Sequence, residues 1–248
     1  FIEKKRNEGL SNRYIGDIIV LMKSVFKYAV KTYCIYNPLE GVSLPRKKTS
    51  DIRLLDKKEQ LCLEEYVSKI HNSTTLGITL AMTTGIRIGE LCALQWKDID
   101  LEKRILTVSK TVQRIQLHEA DRKTKLIITE PKSESSKRII PIPEAVVAFL
   151  KEMRENDEDF VVSGTSRVIE PRTMQYRFAK ILKNVNLPSV HFHALRHMFA
   201  SNCIRLGFDI KALSEILGHS SVEITLNRYV HSSFEQKTEY MNRITICV

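Results

Sequence analysis

The 248-residue sequence lacks the features that mark a fibrous, disulfide-built or membrane-spanning chain. Glycine and proline number only nine and seven, which excludes a collagen-like or Gly/Pro-rich disordered protein. The longest unbroken apolar run, Ala145 to Leu150, falls far short of the roughly 18–20 residues a membrane helix needs. No basic-then-apolar secretory leader opens the sequence. A start on Phe1 rather than methionine is what a piece of a longer protein would show. The five cysteines (Cys34, Cys62, Cys92, Cys203, Cys247) are an odd set with no C-x-x-C pair. A disulfide framework or cysteine zinc site is therefore not expected, and a reducing compartment is.

What the sequence has in excess is positive charge. Lys and Arg number 39 against 29 Asp and Glu, a formal charge of +10. The length fits one large domain, or a domain with a smaller piece. The 43% apolar share is enough for a real core. Residues 1–50 hold ten Lys/Arg against four Asp/Glu, a net +6, which suggests a separate basic clamp or arm. A basic surface attracts phosphates, acidic lipids or acidic proteins, and charge alone does not choose among them.

Periodicity sets the expected elements. Ser11 caps a helix with Ile15, Ile18, Ile19, Met22, Val25, Phe26 and Ala29 at helical spacing, and Asn37-Pro38 stops it. Pro45 to Ser50 reads as a basic linker. Asp56-Lys-Lys-Glu59 is a capping box for a helix with Leu61, Tyr66, Val67 and Ile70 on one face. A helix from about Thr75 to Thr84 ends at Gly85, and a short one follows with Ile88, Leu91 and Leu94. The segments 105–108, 126–129 and 138–142 are rich in β-branched residues and read as three strands of one antiparallel sheet. Helical spacing returns at 144–154, 171–184, 193–206, 209–217 and 221–227, with Gly207 and Gly218 as stops, and a further helix is possible from Ser233 onward. The expected fold is α+β and mostly α, a helical domain with a small antiparallel three-stranded sheet.

Several residues then stand out. Arg87, in Thr84-Gly-Ile-Arg-Ile-Gly-Glu-Leu91, follows a glycine turn, and Glu90 lies one helical turn on, where it can orient the guanidinium. An arginine held among Ile86, Ile88 and Leu91 needs an anion, and its fork suits phosphate. Lys132 sits at the expected hairpin turn in Glu130-Pro-Lys-Ser-Glu-Ser-Ser-Lys-Arg138, with Lys137 and Arg138 as backbone contacts for a nucleic acid. His193-Ala-Leu-Arg196-His197 places two histidines at i, i+4. That spacing invites a zinc reading, but the glutamate of H-E-x-x-H is replaced by Ala194, and Arg196 would set a cation beside the metal. The same residues suit an oxyanion at a helix N-terminus. His219 follows the Gly218 stop, and Tyr229 follows ten residues later. Each has an ordinary structural explanation: a surface ion pair, a solvated lysine, a core histidine, a helix cap, a packed tyrosine. Together and in this order, they are what tyrosine attack on a phosphodiester requires.

This constellation resembles the tyrosine recombinases, the phage-integrase family, over nearly the whole chain. Thr84 to Leu91 is similar to the family's first arginine box, with Glu90 its acidic companion. Lys132 is similar to the hairpin lysine, His193 to His197 to the second box, Leu217-Gly-His219 to the third, and Tyr229 to the nucleophile. The resemblance implies that residues 1–45 are the end of a helical core-binding domain that clamps DNA, 46–55 a linker with Arg46, Lys47 and Lys48 on the duplex, and 56–248 the catalytic domain with a tail. It further implies a bacterial, cytoplasmic enzyme acting on double-stranded DNA as a dimer to tetramer, aided by accessory excision or DNA-bending proteins, with no cofactor, metal or membrane. The segment from Gln113 to Lys125, read as an insertion between strands one and two, is more like integrases of phages and conjugative transposons than chromosome-dimer resolvases. A type IB topoisomerase shares the chemistry, and a DNA-binding regulator with a silent site would share the scaffold.

Overall fold

The computed structural model describes residues 1–46, 53–116, 124–131 and 134–229, with Thr238 and Asn242 beyond them, and for 134 and 227–229 the backbone alone. Lys47, Lys48, Lys132 and nearly all of the tail lie outside the described residues. The chain divides into two compact units, Phe1–Ile52 and Arg53–Val248.

The first unit consists of α1 (Ile2–Asn7) and α2 (Asn12–Tyr33). Ser11 caps α2 as expected, its hydroxyl accepting the Tyr14 N–H at 3.2 Å. The helix ends at Cys34, whose left-handed backbone (φ 51°) stops it ahead of Asn37-Pro38. The chain then returns along α2. Lys23 Nζ donates to the Val42 carbonyl at 2.5 Å, and Asn12 Nδ2 to the Arg46 carbonyl at 3.0 Å. Ile15 and Ile19 of α2 are buried.

The second unit opens with α3 (Lys57–Lys69), and its capping box forms as the sequence indicates: Asp56 accepts from Lys58 and Glu59, and Glu59 accepts from Asp56. The buried face differs from the expected one. Leu63 and Val67 point inward with Tyr66 beside them, and Leu61 is 55% exposed. Leu61 lies two residues from Leu63, about 200° around the helix, so one of the two must face solvent. Next comes α4 (Ser73–Thr84), capped by Asn72 and buried nearly all round, which is the mark of a central helix. It packs against α8 (His193–Arg205) and is surrounded by α3, α5 (Ile88–Ala93), α6 (Glu144–Met153) and α7 (Pro171–Asn184). The unit closes with α9 (Ile210–Leu217) and α10 (Val222–Tyr229).

A three-stranded antiparallel sheet is present, with a different membership from the expected one. It runs β1 (Ile99–Asp100), β2 (Ile105–Val108), β5 (Arg138–Pro141), with Leu106 opposite both Ile99 and Ile140. The segment 126–129 instead belongs to β4 (Thr124–Thr129), which pairs with β3 (Thr111–Gln116) in a separate two-stranded sheet. Most of β3 comes from what the sequence presents as an insertion. Its polar residues conceal the strand, because backbone pairing and the Arg114 contacts to Glu170 (2.7 and 2.9 Å) hold it in place of an apolar stripe. The connection carrying Lys132 therefore passes from one sheet to the other and is not a hairpin turn.

Gly89 shows how tightly α5 meets β3. A Cβ there would stand 2.7 Å from Thr111 Oγ1 and 2.9 Å from the Val112 carbonyl. Gly89→Ala should lower unfolding free energy in urea by about 1–3 kcal/mol, because the Val112 backbone as well as the Thr111 side chain must give way. An unchanged midpoint would mean that β3 yields freely.

Candidate active site

The site begins at a turn only glycine suits. Gly85 ends α4 in the left-handed region (φ 63°), and a Cβ on it would lie 2.5 Å from Phe199 and 2.9 Å from Leu217. Helices α8 and α9 thus press on this turn. Two residues later Arg87, in extended conformation, opens α5. Its N–H donates to Glu90 Oε2 at 3.0 Å, its Nη1 to Glu90 Oε1 at 2.8 Å, and its Nη2 to the Gly218 carbonyl at 2.7 Å.

Arg196 arrives from α8 and is only 2% exposed. It donates to the Gly85 carbonyl at 2.7 Å and to the Leu217 carbonyl at 2.6 Å. His219 follows the left-handed Gly218, and its Nδ1 pairs with the buried Thr225 hydroxyl at 2.8 Å. His193 is the first residue of α8; its ring meets that of His197 at right angles, centroids 4.8 Å apart. Among the described residues, no group of three or more His, Cys, Asp and Glu is arranged to hold a metal ion.

Arg87, His193, Arg196 and His219 share one cavity of about 270 Å³, completed by Ser136, Gly218, Ser220 and Ile224. Two guanidinium groups, imidazole nitrogens and hydroxyls around so small a volume suit a tetrahedral oxyanion. A larger, mainly apolar groove of about 380 Å³ lies between α3, α4 and α6 and has no arginine or lysine in its lining. Ile224 reaches the cavity from α10, the helix whose last residue is Tyr229; the Tyr229 side chain, like Lys132, is outside the described atoms.

Of the expected duplex contacts, Arg46 is exposed in the first unit, and Lys137 pairs with Glu130 at 2.7 Å. Arg138 departs from expectation. Its side chain is 6% exposed, and its fork binds Glu90 through Nη1 (3.1 Å) and Nη2 (2.9 Å). Its Nε donates to the Ile216 carbonyl at 2.6 Å, and Nη1 also to the Ser136 carbonyl at 3.0 Å. It is a buried clamp, not an exposed cation for a duplex. Strand parity was the available signal: Arg138 shares a face with buried Ile140, and Ile139 between them is 60% exposed. Ser136, Ser220 and Ile224 were likewise missed, and no local pattern marks them.

Glu90 is 3% exposed and receives four hydrogen bonds, from the Arg87 N–H and guanidinium and twice from Arg138. Burial raises its carboxyl, and Arg138 and then Arg87 more than offset this, so it titrates below the usual carboxylate range.

A sequence model of the phage integrase family matches residues 53–236. The chain is 31% identical to a XerC-like tyrosine recombinase of Caldanaerobacter subterraneus subsp. tengcongensis, covering 96% of this chain and 67% of that protein. It is 26% identical to the transposase of transposon Tn916 of Enterococcus faecalis, covering 90% and 59%. The chain thus spans about three fifths to two thirds of the length of these curated relatives. Among solved structures, the Tn1549 transposon integrase in complex with transposon right end DNA is similar, with a TM-score of 0.77, 26% identity, and coverage of 97% of this chain and 82% of that one.

The depressed Glu90 carboxyl sets a pH signature. Its contribution to stability is complete above the unfolded value, about 4.3, and is lost as pH falls through the lower folded value. Glu90→Gln should therefore be less stable than the parent at neutral pH, and the gap in melting temperature should close as pH drops below about 4.3. A gap independent of pH would mean that Glu90 titrates alike in both states.

Proposed function

The chain belongs to the phage integrase family, and on that premise we propose that it is a site-specific recombinase that cuts and rejoins DNA strands through a 3′-phosphotyrosyl intermediate. The observation that carries this reading is the convergence of Arg87, His193, Arg196 and His219 on one small cavity.

The scissile phosphate occupies that cavity. Arg87, Arg196 and His219 take its non-bridging oxygens, placing positive charge where the transition state gathers negative charge. Their aim is set before DNA arrives, since each is already bonded to protein atoms. The Tyr229 oxygen attacks phosphorus in line, His193 accepts the phenol proton, and a new O–P bond forms as the bond to the 5′ oxygen breaks. Lys132 gives that leaving oxygen a proton. A 5′ hydroxyl from a partner duplex then attacks the phosphotyrosine, frees Tyr229 and joins new strands. One phosphoester replaces another at each step, so the chemistry calls for no nucleotide fuel.

The likeness to a Tn916 transposase and to a Tn1549 integrase bound to DNA supports a role in moving a mobile element into or out of a bacterial chromosome. That role requires synapsis of two duplexes, hence a dimer to tetramer of this chain on DNA, with the tail from Ser233 docking on a neighbouring subunit and accessory bending proteins as further partners. Arg46, Lys47, Lys48 and Lys137 are the proposed contacts that hold the duplex. Among the described residues, no helix is long and apolar enough to cross a membrane.

The reading is tested with a nicked suicide duplex, which traps the covalent intermediate. The parent chain should give a denaturation-resistant protein–DNA adduct, and Tyr229→Phe should bind the duplex and give none. An adduct on that variant would remove Tyr229 as the nucleophile. Lys132→Ala should slow cleavage by about 10²–10⁴-fold and recover on a 5′-bridging phosphorothiolate, whose sulfur leaves without an acid. Equal defects on both substrates would remove the general-acid role.

A further inference from the structure

The C-terminus of α9 is bound in an unusual way. Its final turn closes at Gly218, whose N–H bonds the Glu215 and Ser214 carbonyls. The next three carbonyls have no intrahelical partner, and three different arginines take them. Arg138 holds Ile216, Arg196 holds Leu217 and Arg87 holds Gly218, at 2.6, 2.6 and 2.7 Å. The arginines come from β5, α8 and the start of α5, which the chain brings together from far apart. A helix C-terminus carries about half a negative charge, so it attracts all three, but it cannot neutralise them. The one carboxylate among the contacts named is Glu90, which Arg138 and Arg87 share.

The three arginines are not equivalent. Arg87 and Arg196 line the small cavity; Arg138 does not, and faces the adjoining groove along β5 and α9. Yet Arg138 shares with Arg87 the carboxylate that aims it. Its two terminal nitrogens bridge both oxygens of Glu90, which in turn hold the Arg87 guanidinium and backbone N–H. Its Nε fixes Ile216 in the strand of carbonyls that leads to Gly218 and His219. Its bond to the Ser136 carbonyl anchors the downstream end of the connection carrying Lys132. The fit is close: a Cβ on Gly218 would come within 3.0 Å of Arg138 Cδ and Nη1.

We propose that Arg138 is a positioning residue for strand cleavage, fixing Glu90 and the end of α9 so that Arg87 and His219 meet the scissile phosphate. It does so without contacting DNA. The role rests on the strand-transfer reading above and extends it to a residue outside the phosphate cavity. Removing Arg138 leaves the buried Glu90 with one cation, so the Arg87 fork is drawn onto the carboxylate and its geometry shifts. A displacement of about 1 Å in such a group is enough to cost on the order of 10²-fold in rate.

The test measures adduct formation on the nicked duplex at saturating protein, the Kd for the same duplex, and the pH dependence of the rate. The variants are Arg138→Lys, Arg138→Met, Glu90→Gln and the combination of the last two, each normalised to folded protein. Arg138→Met should slow the step by about 10²-fold and change Kd by less than about threefold, the signature of an interaction used in the transition state rather than in binding. Because Arg138 acts largely through Glu90, adding Glu90→Gln should slow the step little further, and the neutral amide removes the buried carboxylate that Arg138→Met leaves with a single cation. Glu90 faces two cations, Arg87 on its own helix and Arg138 on β5. Losing Arg138 should therefore move the acid limb of the rate upward, and Arg138→Lys should restore it. A rate unchanged in Arg138→Met overturns the proposal, as do effects that multiply in the double variant or an acid limb that stays in place. A loss confined to Kd would instead make Arg138 a duplex contact. If the parent chain forms no adduct, the strand-transfer reading falls, and this role falls with it.

Discussion

Crowding Arg87, Arg138 and Arg196 around one helix end would be repulsive in a poorly screened interior, and the Glu90 carboxylate is what makes the cluster tenable. Two of the three guanidinium groups share it, and all three also share the carbonyls that close α9. Breaking a buried pair of this kind by removing one partner costs about 3–5 kcal/mol, mostly because the other charge is left without compensation. The arrangement is thus strongly determined. Arg87 and Arg196 of this cluster line the small cavity beside it.

The supporting fold makes that balance rigid. The site is assembled almost wholly from helix ends: the C-terminus of α4 at Gly85, the N-termini of α5 and α8, and the C-terminus of α9 at Gly218. Backbone groups at helix ends lack intrahelical partners, so they are available to fix side chains. The helices themselves are held by the buried α4 and α8, whose packing leaves no room for a Cβ at Gly85. Donors anchored in this way need no reorganisation when charge develops, which is the physical basis of electrostatic catalysis.

Much of this was legible from residue order. The glycine stops, the Asp56 capping box and the turn ahead of Arg87 follow from local chemistry, and the structure forms each of them. Arg87, His193, Arg196 and His219 group together in the sequence, and they line one cavity. The errors lie where local signals compete with packing. Leu61 reads as part of a buried face because it is apolar, but the Leu63–Val67 ridge meets the core. The β3 strand is hidden because, apart from the buried Val112, its contacts are backbone pairing and an Arg114–Glu170 pair, neither of which leaves an apolar rhythm. Arg138 reads as a surface cation because arginines usually are, and only its parity with Ile140 speaks against that.

The amino-acid sequence by itself determined the helical character of the chain, the stops at Gly85 and Gly218, and which residues to group as a candidate site. Each of these depends on local backbone geometry or on side-chain chemistry, which a linear order displays directly. Only the tertiary structure decided which arginines face the cavity and which lies behind it, which strands pair, and which carboxylate carries the countercharge. The reason is that these depend on contacts such as Arg87 to Gly218 and Arg138 to Ile216, between residues 131 and 78 positions apart. No local preference encodes such a meeting. It follows from how α4, α8 and β5 pack, and so from the core as a whole.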